Sequence, residues 1–183
     1  MEKISLDEVR TGDFIVVASH QASLFSTAIA DSGVSRAVTY DHIGLVERKG
    51  ELIFIWHAHV EQGVCCEKWA DFIKREARQA KRIYHVYRLS VSVDVDRALL
   101  WIREKAGLPY NHSFIQSDDA YYCSDLIGRA FSDAVFSPIN MNFVGAYWET
   151  HYKRLGIEIP MGQVGYHPTN MVCQDNMTLI GAL

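Results

Sequence analysis

Apolar residues fall along this chain in two periods, and the switches between them divide it into elements. Residues 13–17, Asp13-Phe14-Ile15-Val16-Val17 after Thr11-Gly12, end in a short apolar run that predicts a first strand. Residues 23–30 carry apolar positions at helical spacing and stop near Gly33. Residues 42–48 and 51–58 are two arms rich in Ile, Leu, Val, Phe and Trp around Lys49-Gly50, the pattern of a β-hairpin. A third strand is expected near residues 62–66. A helix follows over 68–80, with Trp69, Phe72 and Ile73 on its apolar side, and then a strand over 83–89. Residues 94–105 read as an amphipathic helix capped by Asp94 or Asp96 and stopped by Gly107-Leu108-Pro109. A loop over 109–120 leads to a helix over 121–135, and residues 160–170, with two glycines and two prolines, form an ordered loop or a linker to a last strand. Hairpins interleaved with helices predict an α+β fold in which an antiparallel sheet packs against helices.

The hairpin carries the first chemistry. If Lys49 and Gly50 are its two-residue loop, Arg48 opposes Glu51, every opposed pair has numbers summing to 99, and His42 faces His57. Opposed side chains share a sheet face with Cβ atoms about 5 Å apart, so one imidazole can orient the other while a second ring nitrogen stays free to take a proton. Cys123 carries the second. Ser117, Asp118 and Asp119 are candidate caps that would put it near the start of the following helix, where free amides and the helix dipole favour a thiolate. Cys123, Ile127, Ala130 and Phe131 share one helical face, so the sulfur points toward the sheet. On these residues alone, a buried core cysteine and two unrelated strand histidines fit as well as a nucleophile and its base.

Composition narrows the class. At 183 residues and 49% hydrophobic, one domain over 1–183 is expected to bury a real core. A net charge of -4 provides no basic field for nucleic acid or an anionic membrane surface, so a small-molecule, peptide or acyl-lipid substrate is the expected partner. There is no apolar run of about 18 residues for an integral membrane segment. The acidic start, Met1-Glu2-Lys3-Ile4-Ser5-Leu6-Asp7-Glu8, lacks the features of a signal peptide; the sequence as it stands reads as cytoplasmic, a reading that a removed leader would change. Cys65, Cys66, Cys123 and Cys173 contain no C-x-x-C and read as reduced thiols. A soft metal site built on His57-x-His59 and Cys65-Cys66 is disfavoured because adjacent strand cysteines point to opposite faces. No metal and no organic cofactor is expected.

Taken together these segments resemble a known family, the YiiX/YebB-like permuted papain-like amidases, relatives of the NlpC-type cell-wall peptidases and of lecithin:retinol acyltransferase. The resemblance rests on Thr11-Gly12-Asp13-Phe14-Ile15, on Tyr40-Asp41-His42-Ile43-Gly44-Leu45-Val46, on Gly107-Leu108-Pro109-Tyr110-Asn111 with Ser113-Phe114, and on Ser117-Asp118-Asp119 leading to Tyr122-Cys123-Ser124. Its order is informative: the histidine precedes the cysteine, as in a circularly permuted papain-like fold. The resemblance implies Cys123 as nucleophile, His42 as general base and a third, orienting residue at His57, with Glu61 in its place if the register differs. It also implies that Tyr122 lines the site or helps an oxyanion hole with the Cys123 amide. Tyr110, His112, Tyr166 and His167 are loop candidates for the substrate groove. The expected activity is that of a cysteine amidase or peptidase working through an acyl-cysteine with a Cys-His-His triad, on cell-wall peptides or N-acyl compounds. A non-catalytic peptide- or lipid-binding module on the same fold, or a lipid acyltransferase or deacylase, is the alternative.

Overall fold

The computed structural model describes residues 2–19, 23–34, 36–76, 82–132 and 134–183. Its strands are β1 (Phe14–Ser19), β2 (His42–Lys49), β3 (Leu52–His59), β4 (Gly63–Lys68), β5 (Arg82–Leu89), β6 (Ile139–Asn140), β7 (Val164–Gly165) and β8 (Met177–Ala182). Its helices are α1 (Leu24–Ser32), α2 (Trp69–Glu76), α3 (Val95–Glu104), α4 (Cys123–Phe131), α5 (Ala146–Leu155) and α6 (Pro168–Val172). Six strands form one antiparallel sheet in the order β4-β3-β2-β1-β5-β8. The expected α+β architecture, an antiparallel sheet against helices, is what the chain builds. Residues 77–80 of the helix expected over 68–80 lie outside the described residues.

Both faces of the sheet are covered, which explains why its inner strands read as unbroken apolar runs and not as alternating ones. Phe14, Val16, Ile43, Leu45, Trp56 and Ala58 pack with Leu126 and Ile127 of α4 and Leu99 and Ile102 of α3. Their neighbours Ile15, Val17, Val46 and Ile55 pack with Phe72 of α2. The period-2 alternation of side chains thus sends successive residues of β1 and β2 into two separate cores. Asp94 caps α3, its Oδ1 accepting the Arg97 N–H at 2.9 Å.

Several elements differ from the sequence reading, among them the short β6 and β7 and the helix α6 where a loop was expected. The hairpin pairs Lys49 with Leu52 and Leu45 with Trp56, so opposed numbers sum to 101, not 99. The loop is Gly50-Glu51, and Gly50, with φ +59°, takes the first loop position, where a type II′ turn requires a positive φ. A slip of two residues keeps every side chain on its expected face. Helix α5 was not expected at all. Its core contacts, Trp148 and Tyr152, are four residues apart, and Gly156 ends it in the left-handed conformation at φ +71°, a stop signal present in the sequence.

Candidate active site

Cys123 is the first residue of α4, two positions closer to the helix start than the expected helix over 121–135 implied. The anticipated caps do something else: Ser117 Oγ accepts the Asp119 N–H at 3.1 Å and Asp118 pairs with Arg129, while the cap position is Tyr122, with no side-chain cap bond. Ile127 and Phe131 are buried beside Cys123 on the face that meets the sheet. The thiol is only 3% exposed. Burial pushes it up to about 12, against the backbone N–H groups of Ile43 and Ser124, which favour the thiolate. The lowered thiol pKa expected from a helix start is therefore corrected: desolvation outweighs the helix terminus, and the resting form is the thiol.

His42 opens β2, and its ring lies on the opposite sheet face, stacked on Phe72 of α2 at 6.2 Å between centroids. A register sum of 101 puts Gly44, not His42, opposite His57, so the two histidines are diagonal neighbours. They still meet: His42 Nε2 lies 2.8 Å from His57 Nδ1, with ring centroids 4.9 Å apart. Gly44 keeps this place open, since a Cβ there would come within 3.3 Å of His57 Cβ and 2.6 Å of Ile55 Cγ2. His57 Nε2 in turn lies 3.0 Å from Glu67 Oε2 on β4, and Glu67 is ion-paired with Arg75 of α2. Burial lowers the pKa of both histidines well below the ordinary imidazole value; for His42 the nearby His57, His59, Arg82 and Arg75 add to this, and for His57 Arg75 and His59 do. Both rings are neutral at pH 7.

At the start of β2 the sulfur and the imidazole lie at neighbouring chain positions on opposite sides of the sheet: Cys123 Sγ meets the Ile43 N–H, while the His42 ring turns to His57 and Phe72. Among the described residues no hydrogen bond joins Cys123 Sγ to His42, yet the sulfur faces the N–H of Ile43, the residue next to His42. Two clefts flank this junction. One, of about 260 Å³, is lined by polar groups including His42, His59, Asp41, Arg82 and Ser26. The other reaches Cys123 between the mostly apolar walls of Phe114, Tyr122, Phe143, Trp148 and Tyr166. Tyr110 and Ile29 belong to both.

The remaining candidates separate by their hydrogen bonds. Tyr122 is a wall of the apolar cleft, and its hydroxyl accepts the Tyr166 N–H at 3.2 Å, so that contact turns it toward backbone. His167 caps α6 through Nδ1, which accepts from Thr169 N–H at 3.1 Å, and its Nε2–H donates to the Ile29 carbonyl at 2.7 Å; both ring nitrogens are used in joining α6 to α1. Glu61 is exposed in the turn after β3, where its own N–H donates to His59 Nδ1 at 3.3 Å. The carboxylate that reaches His57 is Glu67, which sequence reasoning missed. The signal was available in the alternation of β4, since Cys65 pairs with His57 and Glu67 follows it by two on the same face. His57, Cys65 and Glu67 also bring ligand-type atoms within 4.8 Å of one another, the donor set of a soft divalent cation. The Arg75 guanidinium, 3.3 Å from His57 Nε2 and paired with Glu67, already supplies positive charge there.

An antiparallel sheet whose histidine-bearing strand comes before the cysteine-bearing helix defines the class: a permuted papain-like fold. Residues 8–181 match the permuted papain-like amidase enzymes of the YaeF/YiiX type, family C92. The chain belongs to that family, and through it to the papain-like cysteine hydrolases. Among solved structures it is similar to one described as metalloprotein yiiX from Escherichia coli O157:H7, at 20% identity and a TM-score of 0.75, over 95% of this chain and 97% of that one. At that identity the likeness speaks for the fold. No curated protein matches the sequence. Among the described residues no helix is long and apolar enough to cross a membrane.

Proposed function

We propose that this chain is a cysteine amidase in which Cys123 attacks an amide carbonyl, His42 takes the thiol proton and returns it to the leaving amine, and His57 orients His42. Water then hydrolyses the acyl-cysteine. The observation that carries this reading is a helix-start cysteine whose sulfur lies on the N–H of Ile43, the residue next to His42, with His42 Nε2 bonded to His57 Nδ1 at 2.8 Å. Because burial holds the thiol up at about 12, no thiolate waits in the resting site, and the proton leaves as the carbonyl arrives. Catalytic contacts of this kind tighten when substrate binds. The oxyanion formed at the carbonyl has the Cys123 N–H within reach, one of the free amides of the first helical turn.

The two clefts divide the substrate. The amine side is placed in the polar cleft with His42, His59 and Ser26, and the acyl side against the apolar walls at Cys123, whose cleft of about 10 Å³ must widen to admit it. This arrangement favours N-acyl amides over highly polar cell-wall peptides. The test is a hydrolysis panel of N-acyl amino acids, isopeptides and peptidoglycan fragments, run with the wild-type protein and Cys123→Ser. Release of amine from N-acyl compounds by the wild type alone supports the reading. Turnover retained by Cys123→Ser, or wild-type inactivity with reversible binding of the same compounds, favours a binding module.

A further inference from the structure

We infer that Glu67, held by Arg75, is a positioning residue that fixes which nitrogen of His42 acts as the base. This rests on the proposed roles of Cys123 and His42 and assigns a function to a carboxylate outside that triad.

The argument runs through single protons. His57 Nε2 has three polar neighbours: Glu67 Oε2 at 3.0 Å, Arg75 Nη2 at 3.3 Å and Cys65 Sγ at 3.5 Å. A carboxylate only accepts and a guanidinium only donates, so the two ask for opposite tautomers of His57. Glu67 is nearer, and a bare Nε2 would set its lone pair against a carboxylate oxygen. Arg75 has other acceptors in Glu67 itself and in Gln62 Oε1, the latter at 2.9 Å. His57 is therefore protonated on Nε2. Being neutral, it has a bare Nδ1, which must accept from His42 Nε2–H across 2.8 Å. His42 is neutral too, so its one proton is committed to Nε2 and its Nδ1 is bare.

That nitrogen is the one bonded to Cγ, on the backbone side of the ring, and Cys123 Sγ sits on the backbone N–H of the next residue, Ile43. The thiol proton passes to Nδ1, giving an imidazolium whose Nε2–H still donates to His57, whose own Nε2–H still donates to Glu67. No proton beyond the thiol's needs to move. With the opposite tautomer of His57, His42 would carry its proton on Nδ1, and that nitrogen could not act as the base. Glu67 lies two residues removed from the chemistry and selects between these two states.

Nitrogen-15 spectra of the histidine rings read the tautomers without turnover. In Cys123→Ala protein at pH 7, His57 and His42 are expected as Nε2–H tautomers. Glu67→Gln, whose amide can donate as well as accept, should mix or reverse them. In the active protein the same change should lower kcat about a hundredfold, on the scale of general-base catalysis, with little change in KM, and Glu67→Asp should restore part of it. Thermal unfolding of each variant separates this from loss of fold. An Nδ1–H tautomer of His57 in the wild-type background overturns the inference, as do unchanged tautomers and kcat in Glu67→Gln. If the tautomers are as stated but Cys123→Ser keeps turnover, the catalytic reading fails while the tautomer assignment stands.

Discussion

The two faces of the sheet solve the burial problem in opposite ways. On the α4 side, Cys123 belongs to one apolar core with Leu126, Ile127, Leu45 and Val16, and the thiol is left neutral. On the α2 side, polar groups enter the core as a chain in which His42, His57, Glu67 and Arg75 each satisfy the next, among Val17, Ile55 and Phe72. Each link of this chain is a specific hydrogen bond or ion pair between buried or part-buried groups, which constrains its geometry. The apolar face sets no such constraint on the sulfur. Under the proposed reading, the comparison places activation in the base chain and leaves the thiol to ionise only as it reacts.

Breaking either side should separate them. Cys123→Ser should lower turnover by at least about 10⁴-fold, with thermal stability nearly unchanged, since the replacement is small. His42→Ala should cost roughly 10³- to 10⁴-fold, because it removes proton transfer, and His57→Ala about 10²-fold, because an orienter acts through the base. Steady-state kinetics with circular dichroism check all three; equal losses in His42→Ala and His57→Ala would mean that the two rings act as one unit. Gly44→Ala tests the space between them. Its Cβ would meet Ile55 Cγ2 at 2.6 Å and His57 Cβ at 3.3 Å, so denaturant unfolding should show a loss of about 1–3 kcal/mol, with reduced activity in the folded fraction.

Smaller effects sharpen the contrast through pH. His42 and His57 have lowered pKa values, so they bind protons in the unfolded chain but not in the native one; their contribution is intact above 6.5 and stability falls as pH drops below it. Asp125 of α4 behaves oppositely: burial raises its carboxyl from 3.8 to about 7, so the native state holds a proton that the unfolded state has released, and its contribution is lost as pH rises through that window. Asp125→Asn should remove this opposing slope. Acid loss of stability between 3.8 and about 7 should then steepen by about 1.4 kcal/mol per pH unit, measured by urea unfolding at several pH values. Arg75→Gln removes a charge that lowers both histidine pKa values, so the acid limb of kcat/KM should move to higher pH, by less than about one unit given the partial exposure of Arg75.

How far the sequence foretold this arrangement follows from which features are local. Strand content, the hairpin and the helix start at Cys123 are set by neighbours in the chain, and the sheet face shared by His42 and His57 survived a two-residue error in register because side chains alternate with period 2. The loop was misjudged because the position of Gly50 depends on turn type, II′ requiring glycine first. Glu67 and Arg75 join the chain only through pairing of β4 with β3 and packing of α2, which no single stretch of sequence encodes. The thiol was misjudged for a related reason. A helix start is visible in sequence, but the depth at which α4 lies against the sheet is not, and that depth sets the desolvation.

The most direct test of the account is acylation by a small activated ester, read by intact mass and peptide mapping in the wild type and in His42→Ala. Cys66 and Cys173 are exposed and Cys123 is 3% exposed, so unassisted chemistry would mark the exposed thiols first. The account predicts a single rapid adduct on Cys123 in the wild type, lost in His42→Ala while slow labelling of Cys66 and Cys173 persists. Rapid acylation of Cys123 that is unaffected by His42→Ala, or a first adduct on any other cysteine, would contradict it.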